Sequence, residues 1–245
     1  MQFTDNELEH VKQKCFDLLC FASDVLEREN IWYSLACGTI LGAVRHNGFI
    51  PWDSDVDLYV MLPDKDKVRK AFAKHISDDM YFINFDEEPR FMSSHDKLIM
   101  CNEVKEAHLD FYYLCGAPSE IKEQRRFATV TSYADRIIRS KYNKLKDCKK
   151  KNRPLVFGAK MIDYCLPDKV LKGYITKREY RYDFDSSRYV MPMACIPSER
   201  ACMPKRFFEE TIMHQFNGAD FPIPKDYNAY LTRMYGPDYM TPKQY

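Results

Sequence analysis

Apolar positions in the first thirty residues recur at steps of three and four: Leu8, Val11, Cys15, Leu18, Leu19, Ala22, Val25 and Leu26. That spacing lines one face of a helix, and Thr4 followed by Glu7 supplies a capping box, so the pattern predicts a helix over about residues 5–29. Asn30 stops it. Ile31, Trp32, Tyr33, Leu35 and Ala36 then form a short run suited to a buried strand. Ile40, Leu41 and Val44 mark a brief helix ending near His46, with Asn47 and Gly48 as its left-handed stop. From Asp55 the period changes to two. Asp55, Asp57 and Tyr59 fall on one face of a strand, and Val56, Leu58 and Val60 on the other.

Pro63 and Asp64 open another helix, lined by Val68, Ala71, Phe72 and Ile76. Residues 80–84 and 95–101 read as strands divided by a polar loop around Asp86 to Pro89. In residues 108–114, HLDFYYL, alternation puts His108, Asp110 and Tyr112 opposite Leu109, Phe111 and Tyr113. Residues 155–245 break into short apolar runs at Pro167, Pro192, Pro197 and Pro204. They are expected to form small helices and loops, with one short helix around Tyr227, Tyr230, Leu231 and Met234 ended by Gly236 and Pro237. The fold class expected is α/β (α+β): a mixed β-sheet flanked by helices, with a mainly helical, irregular C-terminal region. A core over residues 1–118 and a C-terminal region over 119–245 are expected.

Thirty-seven Lys and Arg against thirty-six Asp and Glu leave a net charge of +1, which does not indicate a general nucleic-acid binder. The charge is nevertheless uneven. Residues 122–153 carry twelve Lys or Arg against three acids, and Ala134, Ile137, Ile138, Tyr142, Leu145 and Cys148 keep helical spacing among them. This predicts an amphipathic helix with a cationic outer face, suited to peripheral contact with an anionic membrane. The nine cysteines form no CxxC pair, as expected of reduced thiols in a cytosolic protein. The start lacks a basic-then-apolar signal pattern, and no apolar run is long enough to span a bilayer. A cytoplasmic location is therefore expected, with the basic helix either merely solvated or in peripheral contact with the inner membrane face.

The chemistry concentrates in residues 38–60, GTILGAVRHNGFIPWDSDVDLYV. Alternate strand residues lie roughly 7 Å apart, close enough for Asp55 and Asp57 to share a divalent cation. A strand leading through Gly38 and Thr39 into a helix aims N–H groups and the positive helix end at one spot, a natural anion site. Gly42 inside that helix implies something packed or bound closely against it. Asp110 is an isolated carboxylate in an apolar strand, where a nearby cation would offset the cost of burial. Three carboxylates beside a phosphate site select a hard cation, Mg²⁺ or Mn²⁺, and point to phosphoryl or nucleotidyl transfer.

The same run resembles the signature of the LicD family, whose other branch includes fukutin and fukutin-related protein, within the nucleotidyltransferase fold superfamily. The helix before ENIWYSLACGT, the strand LDFYYL and the ending PIPKDYNAYLTRMYGPDYMTP agree with it. The resemblance implies phosphates held at Gly38 and Thr39, and Mg²⁺ held by Asp55, Asp57 and Asp110, which are also the expected catalytic residues. Arg45 and His46 match the family's Arg-His, Lys97 matches a lysine near the donor, and Asp53 matches the acid after Pro-Trp. Ser54 departs from the pattern, standing where many relatives carry another aspartate. The implied reaction moves a phosphorylated small alcohol, such as phosphocholine or ribitol phosphate, from a CDP-linked donor to a hydroxyl of a cell-surface glycan or lipid-linked precursor. The same residues would also suit transfer of NMP from an NTP to a protein, RNA or small molecule. A glycan-binding protein that kept the fold without catalysis is a further alternative.

Overall fold

A computed structural model describes residues 4–85, 95–100, 107–140 and 153–242. The chain forms two compact units, one of residues 1–82, 97–113 and 203–245, the other of residues 83–96 and 114–202.

In the first unit α1 (Asp5–Arg28) begins at the predicted cap: Thr4 and Glu7 exchange side-chain and backbone hydrogen bonds, satisfying two otherwise unpaired N–H groups. Its buried stripe, Val11, Cys15, Leu18, Leu19, Ala22, Val25 and Leu26, is the one the periodicity marks, apart from Leu8, which is half-buried. The helix packs on β2 (Val56–Met61) and α3 (Lys65–His75), with Phe21 edge-on to Phe72. β1 (Tyr33–Leu35) runs antiparallel to β2, pairing Tyr33 with Val60 and Leu35 with Leu58. Between them lies α2 (Cys37–His46), ended by Asn47 in the left-handed conformation. The sheet continues through β3 (Met80–Ile83), β4 (Asp96–Met100) and β5 (His108–Ala117), in the spatial order β1-β2-β5-β4-β3. This order matters for the site, because β5 is inserted between β2 and β4.

The second unit holds α4 (Ile121–Ser140), α5 (Arg153–Cys165), α6 (Asp168–Glu179) and β6 (Tyr189–Pro192), the last paired antiparallel with Leu114–Ala117 of β5. Ala117, Phe127, Ala128, Met191, Ala201 and Cys202 form its core cluster. Arg178 is buried there. Its guanidinium donates to Thr131 Oγ1 at 2.8 Å and to the Phe127 carbonyl at 2.9 Å, and lies 4.4 Å from the Phe127 ring centre. The basic helix expected over 122–153 is described only as α4; residues 141–152 lie outside the described residues.

After residue 202 the chain returns to the first unit through β7 (Met203–Pro204), a hairpin of β8 (Thr211–Phe216) and β9 (Ala219–Pro224), and α7 (Tyr227–Tyr235). The fold is mixed α/β as expected, but strands β6 to β9 replace part of what the proline-rich pattern suggested was helix and loop. Asn217 and Gly218, both at positive φ, make the two-residue hairpin turn. Asn217 N–H donates to the Asn47 carbonyl at 2.8 Å, so the hairpin tip braces the end of α2.

Candidate active site

Local structure first places Asp57. On β2 its carbonyl accepts from Ala36 N–H at 2.9 Å, and its own N–H donates to Thr39 Oγ1 at 2.9 Å. The two bonds clamp the N-terminus of α2 against the strand. Thr39 is buried and thus positions Asp57, a role not apparent from its place beside a glycine.

The bend into α2 falls at Cys37, whose φ of 46° lies in the left-handed region that non-glycine residues rarely occupy. Gly38 follows with an ordinary backbone, so the expected glycine turn is shifted by one residue. What Gly38 supplies is space: a β-carbon there would sit 2.9 Å from Asp53 Oδ2. The Cys37 N–H donates to Tyr230 Oη at 3.2 Å, and Tyr230 Oη lies 3.0 Å from Tyr59 Oη. Both tyrosines are fully buried, so α7 reaches back to hold the strained entry to α2.

Asp57 is buried, and its Oδ1 has no hydrogen-bond partner among the described residues. Burial, then the charges of Asp55, Asp110 and Asp53, push its carboxyl well above the usual range, against the opposing pull of Lys97. Asp53 is pushed up to about 7 by burial, by the charge of Asp55 and by a hydrogen bond to Asp55, while the Ser54 N–H and Lys12 oppose the shift. Lys12 is itself buried, donating to the Pro51 carbonyl at 3.0 Å and Glu9 Oε1 at 3.1 Å. Asp110, on the neighbouring strand, is engaged by Lys97 Nζ at 2.6 Å, with His108 Nε2 3.9 Å from its other oxygen.

Arg45 donates from Nε to His46 Nε2 at 2.9 Å and from a terminal nitrogen to the Tyr239 carbonyl at 3.0 Å. Accepting that bond places a neutral imidazole's proton on Nδ1, and burial followed by the Arg45 charge lowers the His46 pKa. Arg45 also lines a cavity of about 200 Å³ with Gly38, Trp52, Asp53, Tyr235 and Asp238; His46 is not among its lining residues. Cys15 is a buried thiol and Cys37 a half-buried one, both pushed up by desolvation, Cys15 to about 12, which makes them poor nucleophiles.

The structure therefore brings Asp53, Asp55, Asp57 and Asp110 into mutual electrostatic range, with Gly38 and Thr39 at the N-terminal end of α2 and Arg45, from its last turn, lining the same cavity as Gly38 and Asp53. Among the described residues no three His, Cys, Asp or Glu side chains form a ready-made metal cage. Asp110 is paired with Lys97, and Asp53 lies beside Asp55. Sequence reasoning noted Asp53 without giving it a role, and missed the contributions of Lys12, Tyr59 and Tyr230. Asp53 stands inside the motif, but the hydroxyl of Tyr230 is brought in only by the fold.

A mixed sheet with carboxylates on adjacent strands, facing the N-terminus of a short helix, defines a nucleotidyltransferase-like catalytic domain. Residues 30–149 match the LicD/FKTN/FKRP nucleotidyltransferase domain, and the chain belongs to the LicD family. It is 25% identical over 248 aligned positions to the lipopolysaccharide cholinephosphotransferase LicD of Haemophilus influenzae, an alignment covering 92% of this chain and 88% of that one. Ribitol 5-phosphate transferase FKRP from human is 42% identical over 62 residues, covering 24% of this chain and 12% of its own; the mouse protein gives the same identity over 13% of its length. The chain is accordingly a LicD-like phosphotransferase.

Proposed function

We propose that this enzyme moves a phosphorylated small alcohol of the phosphocholine type from a CDP-linked donor to a hydroxyl of a cell-surface glycan or its lipid-linked precursor, with Mg²⁺ as cofactor. The observation that carries this reading is the buried Asp57 carboxylate, on a backbone held by Thr39, with an oxygen unpartnered among the described residues and three other carboxylates around it. Such a set is costly unless protons or cations neutralise it.

An all-oxygen donor set suits a hard divalent cation. Asp55, Asp57 and Asp110 would hold it, and Asp53 would support Asp55. When bound, the metal supplies charge neutralisation at the donor diphosphate. The chain's own groups do the rest. The N-terminal turn of α2 at Gly38 and Thr39 faces the phosphates with its positive end, and Arg45 binds a non-transferred phosphate oxygen from the cavity wall. Lys97 orients Asp110, which takes the proton of the acceptor hydroxyl as that oxygen attacks phosphorus and CMP departs. The likeness to LicD supports phosphocholine as the transferred group, and the likeness to FKRP supports ribitol phosphate as the next to test.

Incubation with Mg²⁺ and CDP-choline, CDP-ribitol or NTPs, followed by chromatography of the nucleotides, tests the reading. CMP release from a CDP-linked donor is expected. Pyrophosphate release from an NTP would instead assign NMP transfer.

A further inference from the structure

We propose that α5 is a membrane-docking helix that lays an apolar stripe on an anionic lipid surface. None of the described side chains of α5 is buried. Phe157, Met161 and Tyr164, at steps of four and three, stand on one side of it and are 55%, 48% and 88% exposed. Leu155 and Ile162 are also exposed, and they line an open groove of about 640 Å³ shared with Tyr133 and Ile137 of α4. Exposed Leu166 and Val170 extend the apolar surface into the next turn and α6. A helix that leaves this much apolar surface in water marks an interaction face.

The charge of the two helices decides the occupant: Arg136 lies on α4 and Arg153 and Lys160 on α5, within a stretch of sequence, residues 136–160, that holds ten Lys or Arg against one acid. Large apolar side chains flanked by cations are the two elements of a helix that lies in the interface of an anionic bilayer. A second copy meeting this face would bring the cations of α4 and α5 from two chains together, which like-charge repulsion opposes. Among the described residues no helix is long and apolar enough to cross a membrane, so α5 would lie on the surface. No residue of α5 belongs to the carboxylate cluster.

The test is co-sedimentation of the full chain with vesicles of phosphatidylcholine alone or mixed with phosphatidylglycerol, alongside the triple variant F157S/M161S/Y164S. The wild type is expected to pellet about tenfold more strongly with the anionic vesicles, and the variant to lose that binding while melting at the same temperature. Equal pelleting with both lipids, or unchanged pelleting of the folded variant, would overturn the proposal. So would a dimer in sedimentation equilibrium that the triple variant dissolves, which would assign the face to a second copy.

Discussion

Lys97 Nζ lies 2.6 Å from Asp110 Oδ1, with both side chains largely withdrawn from solvent. The pair joins adjacent strands β4 and β5 and sets a fixed cation beside the carboxylate cluster. Lys97→Met would leave Asp110 without it, and the expected loss in divalent-free buffer is about 3 kcal/mol. Millimolar Mg²⁺ should restore part of this, because a bound cation can supply the missing charge. Urea denaturation with and without Mg²⁺ measures both effects; a variant as stable as wild type would remove Lys97 from the site's electrostatics.

Thr39 offers a cleaner separation of position from chemistry. Thr39→Val keeps the shape but leaves the buried Asp57 N–H without its acceptor, at an expected cost of about 1–3 kcal/mol. Turnover should also fall, because the backbone that carries the Asp57 carboxylate is no longer held. Thr39→Ser retains the hydroxyl and should recover most of both. If valine and serine variants behave alike in melting and in CMP release, the hydroxyl is not the positioning group.

Two glycines of one helix should respond in opposite ways. An alanine at Gly38 meets only the end of the Asp53 side chain, which can turn aside, so stability should change by no more than about 1 kcal/mol while activity drops. At Gly42 the added carbon would lie 2.5 Å from the Gly48 carbonyl oxygen, in a loop braced by the hairpin, and the expected destabilisation is about 1–3 kcal/mol. Thermal melting paired with initial rates distinguishes the two outcomes.

Away from the site, Glu29 governs an acid-sensitive contact between the end of α1 and α3. Hydrogen bonds from Lys74 at 2.7 Å and His75 at 2.6 Å hold its carboxyl down to about 2, below the ordinary 4.5. Between those values the folded chain binds fewer protons than the unfolded one. Its contribution is therefore complete above pH 4.5 and is lost as pH falls through 2. The melting temperature of Glu29→Gln should accordingly decline less than that of wild type between pH 5 and 2. Parallel declines would show that the contact contributes nothing.

The features readable from the sequence are local ones. The period-two alternation of Asp55 to Val60 places Asp57 on β2, and Asn47 with Gly48 ends α2, because each depends on neighbours within a few residues. The pairing of Lys97 with Asp110 depends instead on β5 lying between β2 and β4, an order that no local pattern encodes. Gly38 is legible as a glycine in a turn, but its actual role depends on where Asp53 points. The hairpin was within reach: Asn217-Gly218 is a strong turn signal. Pro222 and Pro224 masked it, since proline argues against a strand, yet in this two-stranded ribbon they sit in β9 opposite Met213 and Thr211. The apolar stripe of α5 has a helical period, but only the folded chain shows that it remains exposed.

The central claim is that Asp57 gives up stability in order to hold a cation for phosphoryl transfer. Asp57→Asn removes one of four crowded carboxylates while keeping the Thr39 bond, so in divalent-free buffer the variant should melt at or above the wild-type temperature. The most direct measurement is Mg²⁺-dependent CMP release from CDP-choline and CDP-ribitol by wild type and by this variant under identical conditions. The expected result is a fall of about a thousandfold in the folded variant, since each 1.4 kcal/mol of lost transition-state stabilisation is tenfold in rate. Wild-type turnover by Asp57→Asn, or CMP release unaffected by chelation of the metal, would contradict it.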